Sequence, residues 1–297
     1  MMTTRKDLNI RRADMKLTVT LPIYNKTHLE ADLQRLLKAF SGTNIHLVGL
    51  FSKPTQDQLF PYAARSYAVS AQMLAQHKVE TEALTTDCRR IFESLVLPAE
   101  TTSEWREHEG ASPEDIGQHA LFSDILVLQG RKRSDGQMNQ GFDYDAGLLS
   151  YLIMKAPISV LLMPEDEIAT PIFTNPMLAW KMSPESASAA KAISRFLPAG
   201  SQLKLVTVTR QAVEGMGSWS ASEISRYLQR LDLEIEEKIM VLQSGNVAKA
   251  LEDFADSSQS SLIASGAFGR QRWLETLLGG VTRDLLANCR KPVLFAH

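Results

Sequence analysis

The residues best suited by type and spacing to do chemistry lie between Leu262 and Val293, in the segment LIASGAFGRQRWLETLLGGVTRDLLANCRKPV. A short apolar run, Leu262-Ile263-Ala264, predicts a buried strand that ends at Ser265-Gly266. Gly266 and Gly269 then punctuate a tight loop, and Gly279-Gly280 open a helix, so the spacing reads glycine, two residues, glycine, nine residues, glycine. Glycines at such points admit positive φ and let a ligand approach bare amides. A helix opening directly behind them offers free N–H groups and a positive dipole end, which suits phosphate. Val281 and Thr282 would supply further backbone donors at the helix start, with the Thr282 hydroxyl beside them. Arg270 and Arg283 lie near enough in sequence to add positive charge. On the competing reading the same glycines are only turn and helix-cap residues.

Other chemistries find less support. No G-x-x-x-x-G-K-[ST] run occurs, which excludes a P-loop nucleotide hydrolase. The six histidines, His28, His46, His77, His108, His119 and His297, show no metal-ligand spacing with cysteine or acids. No Ser–His–acid order is visible. Gly215-Met216-Gly217 reads as a lone fragment away from any strand–helix junction. Trp105 and Trp219 read as packing residues. Cys289, beside Leu285 and Leu286, reads as core, and Cys88, among charges, as a surface or half-buried thiol. The Arg131-Lys132-Arg133 run reads as an exposed basic loop.

The elements that must position the glycine segment follow from periodicity. Leu17–Ile23 and Ile45–Phe51 read as strands, with Leu29, Leu33, Leu36, Leu37 and Phe40 at helical spacing between them. Strand, helix, strand is the unit of a parallel sheet. Thr55–Leu97 reads as one long helix or two. Trp105–Glu109 and Asp124–Leu128 follow as strands, with an amphipathic run through Ile116 and Ala120 between them, then a helix near Ala146–Met154 and a strand at Ile158–Met163. After an acidic linker, Glu165–Thr170, the plan recurs. Met177–Trp180 is a strand, and Ser183-Pro184-Glu185 signals a capped helix start. Leu203–Val208 and Ile235–Val241 are strands, Ser222–Leu231 and Ala248–Phe254 helices, and Val293–Ala296 the last strand.

The spacings indicate duplication. Gly110 to Gly130 is 20 residues and Gly245 to Gly266 is 21, while Gly130 to Pro157 is 27 and Gly266 to Pro292 is 26. The expected architecture is therefore α/β: two tandem doubly wound parallel-sheet domains, at 15–166 and 171–297, after a disordered leader at 1–14 whose Met15 could be the true start. A length of 297 residues accommodates two domains of roughly 150 each. A net charge of −2 gives no argument for nucleic acid or an anionic membrane as partner. Two cysteines, one in each half, suggest a reducing compartment, no apolar run approaches a bilayer span, and the expected location is the cytoplasm.

The segment GAFGRQRWLETLLGGVT, followed by a helix and KPVLFA, resembles the signature of the universal stress protein family. The similarity extends over nearly the whole chain, as a tandem two-domain member. It implies an adenine nucleotide alpha hydrolase-like sheet that binds ATP, with magnesium, through the G-x2-G-x9-G segment. Ser265 and Gly266 would face the ribose, and Gly269, Gly279, Gly280, Val281 and Thr282 the phosphates. Ala179, Trp180 and Lys181 would stand where the family places adenine contacts, with Val208 ending the next strand. Two departures matter: Gly280 stands where the family usually has Ser or Thr, and Lys181 where its ATP binders usually have an acid. When Gly130 is aligned with Gly266, Arg133 and Asp143 replace the second and third glycines, Gly136, Gly141 and Gly147 fall out of register, and Tyr24-Asn25 replaces the acid. The first half is thus expected to keep the fold without the nucleotide site. The resemblance also implies that the apolar final strands, Ile158–Met163 and Val293–Ala296, pair between domains or between subunits of a homodimer, hiding an exposed edge. The expected role is a stress-response sensor or scaffold acting through binding, with a ligand-free interaction protein and a slow ATPase as the alternatives.

Overall fold

The computed structural model describes residues 16–53, 71–110, 112–130, 151–154, 158–210, 216–267, 280–288 and 290–297. The strands are β1 Leu17–Ile23, β2 Ile45–Lys53, β3 Thr102–Glu109, β4 Ile125–Gln129, β5 Ser159–Met163, β6 Pro176–Trp180, β7 Gln202–Thr209, β8 Glu234–Val241, β9 Leu262–Gly266 and β10 Val293–Ala296. The helices are α1 Leu29–Ala39, α2 Ala71–Glu93, α3 Pro113–His119, α4 Pro184–Phe196, α5 Met216–Gln229, α6 Val247–Ser257 and α7 Gly280–Asn288. Residues 151–154 are also helical.

The local signals behind these elements are visible. Ser183 caps α4 by accepting the Ser186 N–H, with Pro184 at the first helical turn. Ser112 and Asp115 form a reciprocal capping box on α3. The Asn246 carboxamide oxygen accepts from the N–H groups of Ala248 and Lys249 at the start of α6. Met216 and Gly217, read from sequence as a stray fragment, instead open α5.

The described strands form one ten-stranded sheet in the order β3-β2-β1-β4-β5-β10-β9-β6-β7-β8. Within each half the pairing is parallel, and the halves join where β5 and β10 run antiparallel, with Leu161 opposite Leu294. The final strands therefore pair within the chain. Val19 pairs with Ile125 in the first half, and Pro176 with Leu262 in the second. The links around them repeat: Asp124 N–H to Thr18 O and Ser261 N–H to Asn175 O, both 2.8 Å; Gly130 N–H to Met163 O at 2.7 Å and Ala267 N–H to Ala296 O at 2.9 Å. This register makes Gln129, and not Gly130, the counterpart of Gly266. The alignment on Gly130 is one residue out.

The sheet buries both faces, as a mostly parallel sheet must. One face carries Leu21, Ile23, Leu178, Trp180, Leu262 and Ala264 against α1, α2, α4 and α5. The other carries Leu126, Leu128, Met177, Val206 and Ile263 against α6, α7 and the helical residues Leu152 and Ile153. Cys88 lies in the first of these cores with no exposed surface, so the expected surface thiol is corrected, and burial pushes it up to about 11. Trp105 packs on Phe51, ring centroids 5.9 Å apart and near parallel. Strand β3 begins earlier than its apolar content suggested, because the charges of TSEWREHE sit on a sheet edge.

Candidate functional site

In the second half, β6 lies between β9 and β7, with Ala179 opposite Ser265 and Val206. Alternation along the strands places Ala179, Val208 and Ser265 on the face shared with Met177, Val206 and Ile263. Val281, from the start of α7, packs on the core of that face too. Four of the residues expected to form a site therefore converge at the carboxyl ends of the strands, where open α/β sheets bind ligands.

Helix α7 begins at Gly280 and has no acid in its first turn. The first N–H groups of any helix lack partners within it, here those of Gly280, Val281 and Thr282. Thr282 and Ser265 are both buried, while a β-carbon built on Gly280 meets nothing within 4 Å. The nearest acid, Asp284, accepts a hydrogen bond of 2.7 Å from Asn246 Nδ2. Since the same Asn246 side chain caps α6, it ties two helix starts together at one edge of the sheet. Sequence reasoning missed this residue, although an asparagine directly before the helical run at Val247 was the available signal.

Two expected site residues do not join this face. Trp180 is 9% exposed and packs on the opposite face, where its indole N–H donates to Ser220 Oγ at 3.0 Å. A β-carbon on Gly266 would lie 2.5 Å from the Glu185 carbonyl carbon and 2.6 Å from the Ser186 nitrogen. Gly266 thus lets the first turn of α4 press against β9. Lys181, one residue past β6, is exposed and makes no ion pair among the described residues. Gly269, Arg270 and Gly279 lie outside the described residues, as do Cys289, Arg131-Lys132-Arg133, Gly136, Gly141, Asp143 and Gly147.

In the first half the carboxyl edge is differently charged. Lys53, at the end of β2, sits 2.9 Å from Glu107, whose hydrogen bond raises its affinity for the proton. Lys26 and Arg90 both pair with Asp87, at 2.6 and 2.9 Å. The imidazoles of His108 and His119 pack with centroids 4.0 Å apart, and burial together with its neighbour His108 lowers the pKa of His119. Among the described residues no group of three or more histidine, cysteine or acidic side chains is placed to hold a metal ion. None of the described helices is long and apolar enough to cross a membrane.

A family model described as the universal stress protein family matches residues 177–297. No curated protein matches the chain. Among solved structures, a universal stress protein from Archaeoglobus fulgidus DSM 4304 is 12% identical over 94% of this chain and 96% of that one, with a TM-score of 0.67. A Pseudomonas aeruginosa UCBPP-PA14 protein proposed as a universal stress protein is 15% identical over 96% and 94%, with a TM-score of 0.55. A functionally unknown protein from Pseudomonas aeruginosa PAO1 is 16% identical over 96% and 93%, with a TM-score of 0.52. At such identity these likenesses speak for the fold alone. Residues 177–297 are thus similar to the universal stress protein family, and the likeness of fold extends over nearly the whole chain.

Proposed function

We propose that the chain binds an adenine nucleotide, ATP with magnesium, in its second half, and works in the cytoplasm as a stress-response sensor or scaffold. The observation that carries this reading is the convergence of Ala179, Val208, Ser265 and Val281 beneath the acid-free start of α7. The apolar floor suits a base, and the helix start suits phosphate. Gly269, Gly279 and Arg270 would complete the cradle. The repeated strand order and register support treating 15–166 and 171–297 as two domains of the same kind. Action by binding, not turnover, fits the one acid of α7, Asp284, being held by Asn246 and so poorly disposed to serve as a base.

Calorimetry of the full chain with millimolar ATP and magnesium tests the proposal. Wild type binds, and Gly280→Asp binds at least about tenfold more weakly, because the carboxylate repels phosphate while suiting the helix start. Open space at Gly280 keeps that variant folded. Absence of wild-type binding would leave the ligand-free interaction protein as the reading. Steady phosphate release lost on Thr282→Ala would establish the slow ATPase instead.

A further inference from the structure

Beyond the cradle itself, the same edge carries cations that a nucleotide with a single phosphate chain leaves unused. Continuing the strand alternation by one residue puts Lys181, after β6, and Arg210, after β7, on the face of Ala179 and Val208. Arg210 confirms its side by reaching Gly245 O at 3.4 Å, in the loop that leads into α6. Both side chains are exposed, and neither makes an ion pair among the described residues. The first half differs, since the repeated register puts Tyr24, packed on the corresponding core, at the place of Lys181. Among the described residues Arg283, at the helix start, pairs only with its neighbour Asp284, at 3.5 Å.

These charges are separated along the sheet. Strand β6 is one spacing from β9 and β7 is two, about 5 and 10 Å. Lys181 and Arg210 therefore stand to one side of the α7 start, across the apolar floor formed by Ala179 and Val208. A phosphate chain seated at α7 leaves both facing the ribose and base end of the ligand. Resting on the cradle reading, we infer that the second half selects an adenine nucleotide with phosphoryl groups on both sides of the ribose: a 5′-phosphate at α7 and a 2′- or 3′-phosphate between Lys181 and Arg210. Lys181 and Arg210 are then the specificity-determining residues.

The test compares adenosine 3′,5′-bisphosphate with ATP by calorimetry on the full chain at low ionic strength. The two carry the same nominal charge, so a preference reports where the charge lies. The bisphosphate binds about tenfold more tightly than ATP, as one added charge-assisted contact provides. Lys181→Ala and Arg210→Ala each weaken the bisphosphate by about tenfold, and Arg210→Ala shifts ATP by less than about twofold. Added salt narrows the preference. If ATP binds as tightly as the bisphosphate, or if the variants weaken both alike, the inference fails and the cradle stands. If neither nucleotide binds, the cradle fails with it.

Discussion

Replacing Gly266 by alanine separates packing from ligand binding at the residue that anchors the glycine motif. The added methyl group would lie 2.5 Å from the Glu185 carbonyl carbon, 2.6 Å from the Ser186 nitrogen and 2.8 Å from the Glu185 oxygen. Carbon contacts settle near 3.5 Å, so the start of α4 must retreat by about 1 Å. Backbone held by the Ser183 cap and Pro184 cannot swing aside as a side chain would. Retreat would also loosen Ala189, Ala190 and Ile193, all buried in the core beneath α4. Overpacking of this kind costs about 3 kcal/mol, the upper part of its usual range. In urea, with a slope of roughly 2 kcal/mol/M, the transition of the second half moves down by about 1.5 M. Gly280→Ala is the control, because its methyl group meets no atom within 4 Å. It leaves stability within about 0.5 kcal/mol, on the stabilising side, since alanine is the better helix former. An unchanged Gly266→Ala midpoint, or equal losses in both variants, would refute the packing argument. Gly266 would then matter only to the ligand.

Two further outcomes are expected. Leu161 and Leu294 face each other almost fully buried at the join of the halves, so Leu161→Asp places an unpaired carboxylate there and costs about 4 kcal/mol; limited proteolysis should then cleave within Glu165–Thr170, and a wild-type digestion pattern would contradict the role given to this pair. His119 is held below its ordinary pKa by burial, then by His108 and Arg106, with Asp115 opposing; the native state therefore resists charging it, and its contribution to stability, complete above the unfolded value near about 6.5, is lost as pH falls from there toward the folded value. Urea midpoints of wild type and His119→Gln across that window should converge at low pH, and parallel curves would show that this imidazole is not the titrating group.

Much of the architecture was legible because apolar periodicity and end signals agree. Leu17–Ile23 and Val293–Ala296 are strands over the expected residues, and Ser183-Pro184 starts a helix as its residue types require. What could not be read depends on neighbours distant in sequence. Gly266 looks like a ligand glycine until the backbone of Glu185 is found against it. Trp180 ends its strand beside the site, but alternation turns it toward Ser220 and the opposite core. Cys88 is flanked by Asp87, Arg89 and Arg90, yet its position on α2 faces inward. The slip between Gly130 and Gln129 has a related cause. Glycine spacing is blind to strand register, and a shift of one residue reverses which face a side chain meets.

The antiparallel join of β5 and β10 also frees the chain from a constraint that binds a symmetric dimer. When two identical chains meet across an axis, every substitution occurs on both sides at once, and neither edge can specialise alone. Here Leu161 and Leu294 meet across a comparable axis but are separate codons in one gene. Gln129 can replace glycine in one half while Gly266 persists in the other. The join thus preserves the geometry of a pair while allowing each member to diverge, so that the two edges need not carry the same charges.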